Sequence, residues 1–257
     1  MIDEREGTGA TDFAGKLAMI TGAARGFGKA FAQALAERGA HVIVADVDGE
    51  EANRTAAAIG KAAEPVALDV ADQAGAQARI EEIGARHGGI DILINNAGIH
   101  SAEANLSFGA LGLARARRMF EVNVWGVVHC SLAAAPYMAG RPGAAIVNIS
   151  SMAAYPSRTA YGVTKLAVRG VTSAFAHELA PQGIRVNAIA PGLTDTAQPR
   201  YGNSDAELVE MARAIIPLRG ALLTPDQIAR TAVFLASDDA SAVTGQVLHV
   251  NGGSYMP

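Results

Sequence analysis

Seven short apolar runs recur along this sequence, each separated from the next by a longer stretch of helical period. That alternation limits the possible folds more than any other feature. The runs are Leu17–Ile20, Val42–Ala45, Pro65–Leu68, Ile92–Ile94, Ala145–Ile149, Val186–Ala190 and Val247–Val250. A continuous apolar run of this length suits a strand covered on both faces, as in a parallel sheet, rather than a strand with one wet face. The intervening segments, GKAFAQALAERGA and VTKLAVRGVTSAFAHELA among them, place apolar residues at i, i+3, i+4 and i+7, the period of an amphipathic helix. Gly39 and Gly183 stand where a helix must stop before the next strand begins. The expectation is an α/β fold, a doubly wound parallel seven-stranded sheet with helices on both faces.

No repeat, low-complexity segment or linker divides the chain, so residues 1–257 are read as one domain, with 1–14 a tail. The stretch 194–220 is the least regular. In a fold whose ligands sit beyond the carboxyl ends of the strands, it is a candidate substrate lid. Met152, Ala153, Tyr155, Leu208, Met211 and Ile215 predict an apolar lining for the substrate. Half of the residues are hydrophobic and 18% are charged, enough apolar material for a large core. The net charge of −4 argues against a surface that tracks phosphates, which excludes nucleic acid as the expected partner. The N-terminus lacks a basic start and apolar run, and no segment approaches the roughly 20 apolar residues that span a bilayer. A soluble cytoplasmic protein without a membrane partner is expected. The single cysteine, Cys130, reads as a small core residue. His100, His129 and His177 lack metal-ligand spacing, and no metal is predicted. His100 either lines the mouth of a site or is a loop residue without a role.

Directly after the first run comes TGAARGFG, Thr21 to Gly28, leading into a helix. Gly22, Gly26 and Gly28 allow a tight turn and close backbone approach to a pyrophosphate, which the N–H groups at the helix start attract. The spacing is GxxxGxG. Asp46 closes the second run, 18 residues beyond Gly28, where a carboxylate accepts hydrogen bonds from ribose hydroxyls and repels a 2′-phosphate. Arg25 pulls the other way, since a cation in the glycine loop can pair with a 2′-phosphate. The balance favours NAD, with NADP the less favoured coenzyme. Asp69 at the third strand's end can bond an adenine amino group, with Val70 packed on the ring. Asn95 and Asn96, before Ala97 and Gly98, suit either a ligand contact or an ordinary turn.

These motifs, with the asparagine of EVNVWG (Asn123), the serine pair of NISS, Tyr161-x-x-x-Lys165, PGLTDT (191–196) and TGQVLHVNGG (244–253), occur in one order along nearly the whole chain. The ordered set resembles the compact branch of the short-chain dehydrogenase/reductase family. The resemblance implies a Rossmann sheet, NAD or NADP as hydride carrier, a catalytic set of Asn123, Ser151, Tyr161 and Lys165, and a homotetramer. It also extends the cofactor-binding set to Phe27, Val47, Asn96, Ala97 and Gly98. By the same likeness Pro191, Gly192 and Leu193 lie by the nicotinamide face, with Thr194 and Thr196 near its carboxamide and the phosphates.

Tyr161 and Lys165 are four residues apart in a helical pattern and so share a face. A free tyrosine titrates near ~10, and an adjacent ammonium is expected to lower that value and let the phenol act as a base. Lys165 is also expected to hold the nicotinamide ribose. Ser150 and Ser151 compete for the role of donor to the substrate oxygen, and the likeness favours the second. Only nine residues separate Ser151 from Tyr161, fewer than the family usually has. Asn123 is implied to position a water that links Lys165 to solvent. The expected reaction is reversible oxidation of a secondary alcohol to a ketone with NAD(H). The alternatives are an NADPH-dependent ketone or 3-oxoacyl carrier-protein reductase and, more distantly, a non-catalytic dinucleotide-binding regulator. The C-terminal segment 244–257, with Tyr255 and Met256, either covers a subunit contact or folds back on its own chain.

Overall fold

The computed structural model describes residues 12–100, 106–196 and 204–256. In chain order the elements are β1 (Leu17–Thr21), α1 (Gly26–Ala36), β2 (His41–Asp46), α2 (Gly49–Ile59), β3 (Ala63–Ala67), α3 (Gln73–His87) and β4 (Ile92–Asn95). There follow α4 (Phe108–Leu111), α5 (Leu113–Phe120), a π-helical turn (Glu121–Trp125), α6 (Gly126–Met138), β5 (Ala145–Ile149) and α7 (Ala160–Leu179). The chain continues through β6 (Arg185–Pro191), α8 (Asp205–Ile215), α9 (Pro225–Ala236) and β7 (Val247–Val250).

The seven strands form one sheet in the order β3-β2-β1-β4-β5-β6-β7, and every neighbouring pair is parallel. The chain winds outward from β1 to β3, crosses back, and winds the other way from β4 to β7. The strand order therefore reverses between β1 and β4, which opens a crevice at their carboxyl ends.

Side chains alternate across each strand and feed two separate cores. On one face Ala18, Ile20, Val42, Val44, Ile92 and Ile94 pack with Phe31 and Leu35 of α1 and Ile228 and Leu235 of α9. On the other, Leu17, Met19, Ile43, Leu93 and Ile146 meet Ile80 and Ile83 of α3, Met138 of α6 and Phe175 and Leu179 of α7. Burying each large aliphatic side chain contributes about 1.5–3 kcal/mol relative to leaving it in water. Cys130 is fully buried in the second core, where burial pushes its thiol up to about 12.

The two edge strands depart from the expected all-buried pattern. β3 begins at Ala63 rather than Pro65, and its residues alternate between half-buried and exposed. An edge position leaves one row of backbone groups unpaired, which also accommodates Pro65. β7, at the other edge, is half-buried throughout. Within the expected tail, Phe13 is 2% exposed, and its N–H donates to the Arg38 carbonyl. The chain thus joins the fold before the first strand; residues 1–11 lie outside the described residues. In the expected lid, Thr194 bridges to Leu223 and α8 begins at a capping box of Ser204 and Glu207. The remainder of that stretch, 197–203, lies outside the described residues. Among the described residues no helix is long and apolar enough to cross a membrane.

Candidate active site

A cleft of about 560 Å³ occupies the crevice where the strand order reverses. Its upper wall is the loop between β1 and α1. Gly22 and Gly26 both hold positive φ, +62° and +56°, the left-handed region that a side chain rarely tolerates. A Cβ on Gly22 would stand 2.7 Å from the Ala97 Cα, and one on Gly28 would stand 2.1 Å from the Gly22 carbonyl oxygen. Gly28 is therefore buried packing behind the loop, whereas Gly22, Arg25, Gly26 and Phe27 face the cleft. Asn96 clamps the loop from below. Its Nδ2 donates to the Thr21 and Gly22 carbonyls at 3.0 and 2.8 Å, and its N–H donates to Thr21 Oγ1. The α1 N-terminus carries no side-chain cap from Arg25. Its first N–H groups are therefore available to an anion, reinforced by the helix dipole.

Asp46, Val47 and Asp48 line the next part of the cleft, followed by Asp69 and Val70. Asp46 accepts from the Ala24 and Asp48 N–H groups, each at 3.0 Å, which fixes its carboxylate at the end of β2 and leaves lone pairs for a further donor. Arg25 is paired with Asp48. Asp69 accepts from the Ala71 N–H at 2.9 Å and from Arg118 at 2.9 Å. Burial pushes the Asp69 carboxyl up, but the Ala71 amide and Arg118 outweigh it and hold the group below its usual range. Arg118, on α5, was not legible as a cleft residue because the helix that carries it is 49 positions away in sequence.

The cleft floor carries Ser150, Ser151, Tyr161 and Lys165, with Asn96, Ala97, Gly98 and His100 beside them. Thr159 caps α7 through the Gly162 N–H, so the helix starts just before Tyr161 and presents Tyr161 and Lys165 on one face. Ser151 stands beside the Tyr161 phenol and lowers its pKa. Ser151 Oγ accepts from the Ala153 N–H at 3.1 Å, at the start of a single 3₁₀ turn, Met152–Ala154. Ser150 instead donates to the Lys165 carbonyl at 2.8 Å and is buried. The two serines thus face different partners. Lys165 Nζ donates to the Ile149 carbonyl at 2.7 Å and sits 5.8 Å from the Tyr161 ring centre.

The electrostatics reverse one expectation. Burial pushes the Tyr161 phenol up to about 12, against a lowering by the neighbouring Ser151. The same burial pushes Lys165 down to about 8. Desolvation disfavours both charged forms. Tyr161 is therefore a protonated acid at neutral pH, not a resting phenolate.

Asn123 does not line the cleft. It is fully buried in the π-helical turn, where its Oδ1 accepts from the Ile99 N–H at 2.6 Å and its Nδ2 donates to the Ile99 carbonyl and Thr164 Oγ1. It ties the loop after β4 to α7, the helix that carries Tyr161 and Lys165. A π-helical turn at such a place is a common way to aim one side chain out of helical register. His100 does line the cleft, stacked on Tyr161 with ring centres 4.4 Å apart. Burial and the Lys165 charge push it down to about 4, so the imidazole is neutral. Pro191, Gly192, Leu193, Thr194 and Thr196 close the far wall. Tyr155, expected in the substrate lining, stacks instead on Tyr255 and hydrogen-bonds His249. Met211 and Ile215, expected there too, are exposed on α8.

The arrangement meets the requirements of a dinucleotide. It offers a glycine cradle that a Cβ would fill, free N–H groups at a helix start, and a fixed carboxylate at the second strand's end. Residues 22–255 match the family model described as enoyl-(acyl carrier protein) reductase. The chain is similar to galactitol 2-dehydrogenase of Agrobacterium fabrum, 38% identical over 94% of this chain and 98% of that one. Among solved structures, a short-chain dehydrogenase/reductase described as glucose/ribitol dehydrogenase from Brucella melitensis superposes with a TM-score of 0.87. It is 32% identical and covers 96% of this chain and 100% of its own. A 3-ketoacyl-(acyl-carrier-protein) reductase from Brucella melitensis, complexed with NADH, gives a TM-score of 0.84. It is 37% identical and covers 95% of this chain and 99% of its own.

Proposed function

Because the chain belongs to the short-chain dehydrogenase/reductase family, we propose that it oxidises a secondary alcohol to a ketone, reversibly, with NAD(H) as coenzyme. The observation that carries this reading is that Ser151, Tyr161 and Lys165 share the floor of the cleft that the glycine loop and Asp46 also line. A nicotinamide coenzyme, when bound, supplies the hydride acceptor or donor. Gly22, Gly26 and Phe27 would hold its pyrophosphate end, Asp46 and Val47 its adenosine ribose, and Asp69 and Val70 its base. Pro191 to Thr194, with Thr196, would hold the nicotinamide end.

Within that frame, Tyr161 holds the proton at its hydroxyl oxygen and exchanges it with the substrate oxygen. Ser151 Oγ donates to the same substrate oxygen and stabilises charge as it develops. Lys165 supplies positive charge beside the phenol. With Tyr161 protonated at neutral pH, ketone reduction finds its acid ready, while alcohol oxidation requires deprotonation and should accelerate as pH rises. Asp46 supports NAD over NADP, since a fixed carboxylate repels a 2′-phosphate. Arg25 is already neutralised by Asp48, which weakens the opposing argument.

Acyl substrates held on a carrier protein are a second reading, favoured by the likeness to the 3-ketoacyl reductase bound to NADH. A homotetramer is supported by β7 standing at the sheet edge. Tyr255 argues less for it than expected, since it stacks on Tyr155 of its own chain. Turnover of a panel of polyols, cyclic alcohols and 3-oxoacyl thioesters with each coenzyme, repeated with Tyr161→Phe, tests the proposal. Tyr161→Phe should lose at least ~10²-fold in kcat while coenzyme affinity stays within a few-fold. A variant that keeps a tenth of the rate would sink the assigned role.

A further inference from the structure

Three side chains meet at the end of the sheet opposite the cleft. His41 is the first residue of β2, Glu64 the second of β3 and His87 the last of α3. Strands enter the sheet at this end, whereas the cleft lies beyond their carboxyl ends. One ligand atom from each of the three lies within 4.8 Å of the others. His87 Nε2 is 2.6 Å from a Glu64 oxygen, and the His41 and His87 rings stand 5.4 Å apart. His41 Nε2 is buried and has no hydrogen-bond partner. A buried ring nitrogen without a partner is a rare and unfavourable arrangement, and a metal ion can satisfy it.

We infer that His41, Glu64 and His87 form a binding site for a zinc-like divalent cation. Two imidazoles and one carboxylate are a ligand set that zinc accepts, with water in the fourth position. Bonds of about 2.0–2.2 Å place tetrahedral neighbours roughly 3.4 Å apart. The His87–Glu64 pair, at 2.6 Å, must therefore open while the wider separations close, and the partly exposed side chains of Glu64 and His87 are free to rotate. Arg86 opposes the ion, since its guanidinium lies 2.8 Å from the same Glu64 oxygen. It also has Glu82 within 3.9 Å, an acidic partner it retains when it swings away. The bound ion would clamp edge strand β3 to β2 and to the end of α3. It would act on stability and leave the chemistry at Tyr161 untouched. The sequence reading expected no metal because it weighed histidines by their spacing. The fold draws together residues 23 and 46 positions distant from one another, a separation no linear motif carries.

The test is calorimetric titration of zinc into the full-length, metal-free chain, paired with thermal unfolding. We expect one zinc per chain, and with free zinc at 100 times Kd the folding equilibrium should move about 100-fold toward the native state. His87→Gln and Glu64→Gln should each weaken binding at least tenfold, and both positions are open enough to keep the fold. Arg86→Ala, which removes the competing cation, should tighten binding at least threefold. Absence of saturable binding at one per chain overturns the inference, as does zinc affinity unchanged in His87→Gln. Failure of Arg86→Ala to tighten binding overturns the placement of Glu64 as a ligand.

Discussion

Replacing Ser151 by alanine removes one hydroxyl from the cleft and decides between the two adjacent serines. Ser151 stands beside the Tyr161 phenol and holds its pKa below the value that burial alone would set. A hydrogen bond to a charged group contributes about 1.5–3 kcal/mol. Loss of the Ser151 hydroxyl should raise the Tyr161 pKa further. If the same hydroxyl supports developing charge on the substrate, kcat should fall roughly 10–150-fold. The assay is the pH profile of kcat/KM for alcohol oxidation, in which the alkaline limb should move upward in Ser151→Ala. Alanine also removes the acceptor at the start of the Met152–Ala154 turn, so Ser151→Thr serves as the rescue that restores the hydroxyl. Ser150→Ala is the contrast. It loses a bond to the Lys165 carbonyl, which should cost about 1 kcal/mol of stability and leave the pH profile in place. A Ser151→Ala enzyme with an unmoved profile and more than half of its wild-type kcat would refute the reasoning, as would an equal shift in Ser150→Ala.

Three further outcomes are expected. Asp46→Ala should raise the NADP to NAD ratio of kcat/KM, and a ratio equal to wild type would show that this carboxylate does not set coenzyme choice. Asp91 is 2% exposed, forms two hydrogen bonds with Arg141 and also accepts from the Leu17 N–H. Asp91→Ala leaves the buried Leu17 N–H without its acceptor and should cost about 1–3 kcal/mol in urea unfolding, with no measurable loss counting against it. Light scattering should find a homo-oligomer for the intact chain and loss of order after deletion of 244–257; a monomer at micromolar concentration contradicts the assembly.

Much of the fold could be read in the chain because burial leaves a local record. A strand covered on both faces is apolar at most positions, so β1, β4, β5 and β6 announce themselves. The glycine loop is legible for a similar reason, since Gly22 and Gly26 occupy backbone regions that other residues avoid. The edge strands were read less well, because half-burial leaves a mixed pattern, and β3 was misplaced by two residues at its start. What only the tertiary structure decided was which groups face one another across distance. Spacing alone left Ser150 and Ser151 open, yet Ser150 donates to the Lys165 carbonyl while Ser151 stands beside Tyr161 on the cleft floor. It placed Tyr155 beside the substrate, while β7 and the C-terminal turn draw it toward His249 and Tyr255. It implied that Lys165 lowers the Tyr161 pKa, but both groups are buried, and desolvation, set by every neighbouring element together, has no signature in a four-residue motif. Local sequence encodes where backbone bends and which faces are apolar; the pairing of polar groups and the dielectric around them belong to the assembled fold.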